Sequence, residues 1–211
     1  MIRHLPRLVP LDPGRPEMSE ERRPIREVTR QVAFDAGRWT AERKANVNAL
    51  FDDLAAEWND RPHARRFEAV DDAVARGGPF PPGLAVEIGA GTGLLTARLA
   101  EAFTPLVAVD LSAAMLALVP APTPRIRADA ARLPLATGSV AVLAAVNMFL
   151  FSAEVDRVLA ADGVLLWVNS LAEETPIHLS GDDIDAALPG MWEGAASEAG
   201  WGSWATFRRA L

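Results

Sequence analysis

The residues best suited to chemistry lie between positions 85 and 130 of this 211-residue chain. The stretch AVEIGAGTG at 85–93 carries Gly89, Gly91 and Gly93 just after an apolar run ending in Glu87 and Ile88. Glycines at such a bend let the backbone turn tightly and approach a ligand closely. A lone G-x-G reads equally well as a plain tight turn. What changes the reading is Asp110, which closes the next apolar run 21 positions after Gly89. A carboxylate at a strand's C-terminal end faces the crevice where open α/β sheets bind ligands. There it can accept both hydroxyls of a ribose, through charge-assisted bonds of roughly 1.5–3 kcal/mol each. The competing reading of Asp110 is a helix N-cap, since Ser112 and a helical stretch follow. The glycine spacing also bears on the ligand. A dinucleotide site takes G-x-G-x-x-G to admit a pyrophosphate. Here Leu94 stands in the third position and Gly93 precedes it, which favours a nucleoside without a pyrophosphate.

These residues need a frame of alternating strands and helices. Leu84–Ile88, Leu106–Val109, Arg125–Ala128, Val140–Val146 and Gly163–Val168 read as strands, the third closed by Asp129. Val140–Val146 is apolar throughout, as expected of a central strand covered on both faces. Helices are predicted over Leu94–Phe103, Ser112–Val119 and Glu154–Ala160, so the pattern is that of parallel βαβ units in a doubly wound α/β sheet. Ser180 and Asp183 resemble a capping box for a short helix to Leu188. Met191–Ala199 and Ser203–Ala210 flank Gly200-Trp201-Gly202 as an antiparallel hairpin, giving seven strands. Upstream, residues 1–25 hold five prolines and read as a disordered or extended tail. Residues 26–78 form a helical extension, with Leu50, Phe51, Leu54 and Trp58 on one apolar stripe and Pro62 as a helix stop. The α/β domain is expected over 79–211.

Composition removes several classes. The chain has no cysteine and three well-separated histidines, His4, His63 and His178, so no metal site is expected. Its net charge of −7 argues against a nucleic-acid surface. No apolar run is long enough to span a membrane, and no signal-peptide core follows Arg3 and Arg7, so a cytoplasmic address is expected. The abundance of Ala, Arg and Pro suggests a bacterial source.

VEIGAGTG at 86–93, VAVDLSAAML at 107–116 and ADAARLPLATGSVAVL at 128–143 together resemble a class I S-adenosylmethionine-dependent methyltransferase of the type-11 group. The resemblance covers about Leu84 to Asn169, and FDDLAAEWND at 51–60 is similar to the lid helix of such enzymes, with Trp58 where tyrosine is common. It implies a Rossmann-like sheet and S-adenosylmethionine as cofactor. By position, Glu87 would organise the loop at the methionine end, and Gly89, Ala90, Gly91 and Gly93 would pass beside the sulfonium and amino acid part. Asp110 would hold the ribose, Leu111 would pack on the adenine, and Asp129 would accept from the adenine amino group beside the Ala130 amide. Val146, Asn147 and Met148 would leave the fourth strand near the methyl group. His178 and Asn147 are weak candidates for a catalytic role, and His63 a weaker one. Residues Asn147-Met148-Phe149-Leu150 depart from the N/D-P-P-Y/F signature of amino-group methylation, which counts against nucleobases. A small-molecule acceptor is expected, with the protein a monomer or homodimer. The alternatives are a nicotinamide-dependent oxidoreductase, disfavoured by Leu94, and a non-catalytic S-adenosylmethionine-binding regulatory protein.

Overall fold

Every residue of Ala85–Ile88 (β2) and of Val140–Val146 (β5) is buried, as strands covered on both faces require, Glu87 being the one charged side chain among them. In the computed structural model, which describes residues 1–18, 23–60 and 65–210, these two strands lie side by side at the centre of one mixed sheet. Pro62 and His63 lie outside the described residues. Leu106–Asp110 (β3) and Arg125–Arg127 (β4) extend the sheet on one side of β2. Leu159–Asn169 (β6) follows β5 on the other. Gly202–Arg209 (β8) then runs antiparallel to both β6 and Trp192–Ala199 (β7), with Ala199 opposite Gly202 at the predicted hairpin.

The sheet has eight strands, one more than the sequence pattern predicts. The extra one is Ile2–His4 (β1), which pairs parallel with β7, Ile2 facing Gly194. It belongs to the segment read as a disordered or extended tail. A three-residue edge strand is too short to leave an alternating pattern, so proline content dominated that reading.

Alternation across the pleat divides the core in two. Val86, Ile88, Leu143 and Ala145 face one way, against Arg23–Phe34 (α1), Ser152–Val158 (α6) and Gly181–Ala187 (α7). Ala85, Val142, Ala144 and Val146 face the other, against Glu68–Arg76 (α3) and Thr96–Ala102 (α4). Ser180 caps α7 by accepting from the Asp183 amide at 3.1 Å, as its spacing predicts. Ala113–Ala117 (α5) follows β3. Ala41–Leu54 (α2) has no fully buried residue, so its apolar stripe serves something other than the core. No helix among the described residues is long and apolar enough to cross a membrane.

One buried polar knot ties α3 to the sheet. Asp72, 8% exposed, accepts from the indole of fully buried Trp204 at 2.7 Å and pairs with Arg76 at 2.9 Å. Removing the carboxylate strands the Trp204 indole in a dry environment and leaves Arg76 with only its bonds to Pro6 and Ser197. Asp72→Ala is therefore expected to lower unfolding stability by about 2–4 kcal/mol in urea denaturation. A loss under about 0.5 kcal/mol would mean that water satisfies Trp204 and Arg76 instead.

Candidate active site

Strand order reverses at β2: the chain passes to β3 on one side and later returns to β5 on the other. Ligands of open α/β sheets bind at such a switch point, beyond the strands' C-terminal ends. A cavity of about 510 Å³ opens there, within the usual range of roughly 300–1,000 Å³ for small-molecule sites. A shallower groove of about 570 Å³ lies at the β1–β7 edge, against Gly77 and Arg208, away from the strand ends.

The loop after β2 forms the cavity floor. Gly89 and Gly91 both have positive φ, +68° and +57°, and both line the cavity with Ala90. A Cβ on Gly89 would sit 2.5 Å from the Met148 sulfur, so a side chain there would have to displace that thioether as well as adopt a positive φ. Gly93 behaves differently. It does not line the cavity, and a Cβ there would meet Pro120 at 2.8 Å and Val119 at 3.0 Å. Its glycine serves the packing of the loop against the end of α5, not the ligand contact expected of it.

Asp110 and Glu87 give the floor its charge. Asp110 accepts the Gly91 and Ser112 amides, each at 2.8 Å, so it braces the glycine loop while facing the cavity. The helix cap is Ser112, whose hydroxyl accepts from the Met115 amide, so the N-cap reading of Asp110 fails. Burial raises the Asp110 carboxyl above its ordinary value despite these amides. Glu87 is 2% exposed and accepts from the Thr96 hydroxyl. Burial, with a smaller contribution from the Asp110 charge, pushes it up to about 7.

Leu111, Asp129 and Ala130 line the far end, and Val146, Asn147 and Met148 the end beside β5. Asn147 has φ +51°, and its side chain is paired with Ser170: its amide donates to the hydroxyl and its carbonyl accepts the Ser170 N–H, both at 2.8 Å. It ties the ends of β5 and β6 together, and its second amide hydrogen remains beside the cavity that the residue lines. His178, the other catalytic candidate, lies outside the cavity lining, to which Thr175, Pro176 and Ile177 belong. Burial and the Arg26 charge lower its pKa.

The helical extension forms the roof, and this the sequence pattern only partly reveals. The apolar stripe of Leu50, Phe51, Leu54 and Trp58 faces the cavity rather than the core. The loops after β2, β3 and β4 each receive a polar contact from the extension. Asn59 accepts from the Thr92 hydroxyl at 2.6 Å. Asp52 accepts from the Ser112 hydroxyl at 2.5 Å and the Ala114 amide at 3.2 Å, and these bonds, the hydroxyl's foremost, hold its pKa below the ordinary value. Trp39 donates to Asp129 at 3.1 Å. Arg66 also lines the cavity, the one basic side chain among its described lining residues. Arg38, by contrast, is 61% exposed beside Asp35 and does not line the cavity.

Residues 86–166 match the family model described as a methyltransferase domain. Among solved structures, a SAM-dependent methyltransferase from Aquifex aeolicus superposes with a TM-score of 0.58 at 13% identity, covering 76% of this chain and 96% of that one. The DhpI–SAH complex gives 0.58 at 17% identity over 77% and 94%. A chain from the Haloferax volcanii complex of the Trm112 methyltransferase activator with its methyltransferase partner gives 0.51 at 20%, and there the match spans only 59% of that chain. No curated protein sequence matches. The family match over residues 86–166 marks a methyltransferase domain there, and S-adenosylmethionine is the methyl donor that such a domain implies. The donor set suits that cofactor: an acidic, glycine-floored pocket for a cationic nucleoside, with Leu94 lining the cavity where a dinucleotide site has its third glycine.

Proposed function

We propose that this protein transfers the methyl group of S-adenosylmethionine to a small-molecule acceptor by direct in-line displacement, in the bacterial cytoplasm. The carrying observation is convergence: Gly89, Gly91, Asp110 and Asp129 come from three different strand-end loops and line one cavity. In this reading Asp110 accepts the ribose hydroxyls, Leu111 and Ala130 pack beside the adenine, and Asp129 accepts its amino group. Glu87 and the loop of Gly89–Gly91 hold the amino acid end, and Arg66 supplies the cation for its carboxylate. When bound, the cofactor supplies an electrophilic methyl on a sulfonium, so no protein nucleophile is required.

The protein's share is to align the acceptor and exclude water, and alignment alone accounts for much of such rate enhancements. The acceptor end supports a small apolar molecule. Phe149, Phe151, Leu171 and Ile177 line it, and its two hydroxyls each accept a bond from within the protein: Ser170 from the Asn147 amide, and Thr175 from the Leu171 N–H at 3.0 Å. The net charge of −7 and the absence of the N/D-P-P-Y/F signature weigh against nucleic acid. Calorimetric titration with S-adenosylmethionine, S-adenosylhomocysteine and NAD tests the cofactor. Binding of the first two but not NAD is expected, and NAD binding alone would transfer the site to the oxidoreductases. Turnover across a metabolite panel then tests catalysis, and binding without turnover of any acceptor would favour a regulatory protein.

A further inference from the structure

We propose that Trp39, on the linker between α1 and α2, is a positioning residue that fixes Asp129 for recognition of the adenine amino group. The proposal rests on the nucleoside site described above. Asp129 follows β4 on a loop and has one local restraint, the Ala131 amide donating to Oδ1 at 2.9 Å. A carboxylate held through one oxygen can still swing. The Trp39 indole N–H removes that freedom by bridging both oxygens, at 3.1 Å to Oδ1 and 3.3 Å to Oδ2. Lys44 adds its ammonium 3.4 Å from Oδ2. These donors come from a segment some 90 positions distant in sequence.

The indole is itself held from the opposite wall. Its ring meets Phe149 at 5.3 Å, tilted by 44°, and Phe151 at 5.2 Å, nearly edge-on at 65°. Both rings belong to the loop between β5 and α6, and both are buried. The residues just before Trp39, Phe34 through Arg38, are exposed, and Thr40 just after it caps α2. Trp39 is thus the point at which the linker enters the cavity, and all four side chains, Trp39, Asp129, Phe149 and Phe151, line the same space. An ionised carboxylate held in one plane accepts an amino group and repels a carbonyl oxygen, so it can tell a 6-amino purine from a 6-oxo one.

The test compares S-adenosylhomocysteine with S-inosylhomocysteine, which carries a ring carbonyl in place of the amino group. Wild-type protein is expected to bind the amino form more tightly. Trp39→Phe keeps the ring contacts and loses the N–H, and it should narrow that preference about tenfold. Lys44→Met, at a half-exposed side chain, should narrow it in the same direction by a smaller factor. A Trp39→Phe protein that binds both ligands more weakly but keeps the wild-type preference would overturn the proposal and leave Trp39 a packing residue. If Trp39→Phe does not fold, an unchanged preference in Lys44→Met overturns it alone. Failure of wild-type protein to bind either ligand would instead overturn the cofactor assignment on which the proposal stands.

Discussion

Asp110→Ala is expected to weaken binding of S-adenosylhomocysteine by at least about tenfold, or roughly 1.4 kcal/mol. The carboxylate does two things at once. It braces the floor through the Gly91 and Ser112 amides, and it leaves its remaining lone pairs toward the cavity. Burial raises its proton affinity, yet each amide donated to it favours the ionised form, as hydroxyl donors would. Loss of the side chain removes the ribose acceptor and slackens the Gly91 turn together. A ligand lacking both ribose hydroxyls separates the two effects. It should bind wild-type protein more weakly than the parent ligand, while Asp110→Ala should hardly distinguish them. Equal losses for both ligands on mutation would show that Asp110 acts only through the loop, and unchanged affinity in a folded variant would place the nucleoside elsewhere.

What is legible in the sequence is whatever depends on local pattern. Val140–Val146 is apolar at every position and is buried at every position, because a central parallel strand has no solvent face. Asp110 and Gly89 were legible because a strand end and a glycine bend mark their own places in the chain. The hairpin of β7 and β8 followed from its glycine-bounded turn. The pattern failed where a residue's meaning is set by a distant partner. Nothing near Trp39 points to Asp129, and nothing near Asn147 shows that its amide pairs with Ser170. Gly93 was assigned by spacing to the ligand, yet the Val119–Pro120 backbone decides its role. The stripe on α2 was readable as apolar, but not that it faces a cavity. A 3.6-residue period says which side of a helix is apolar and is silent on whether protein or ligand covers it.

Glu87 leads to the second large expected effect, a pH dependence with a definite sign. Its carboxyl lies wholly inside the protein, where desolvation outweighs the Thr96 hydroxyl and lifts it from 4.5 to about 7, with the Asp110 charge pushing the same way. A native group that holds its proton more tightly than the unfolded chain stabilises the fold below the unfolded value and loses that contribution as pH rises through the native one. The window therefore runs from about 4.5 to 7, and its full height is on the order of 3 kcal/mol at about 1.4 kcal/mol per pH unit. Glu87→Gln keeps the shape and the hydrogen bond to Thr96 but cannot ionise. Its stability relative to wild type should be near zero at about pH 4 and rise to that height by about pH 8, measured by urea denaturation at each pH. A ligand ammonium at the methionine end reverses the balance, since it favours the ionised carboxylate. S-adenosylhomocysteine should accordingly bind wild-type protein more tightly as pH rises from about 5.5 toward 7, by up to about tenfold per unit. It should release a proton that appears as a buffer-dependent heat. In Glu87→Gln the affinity should be lower and independent of pH over that range. A flat wild-type profile, with no proton released, would mean that Glu87 stays protonated beneath the bound ligand and supports the loop only as a neutral hydrogen-bonding group.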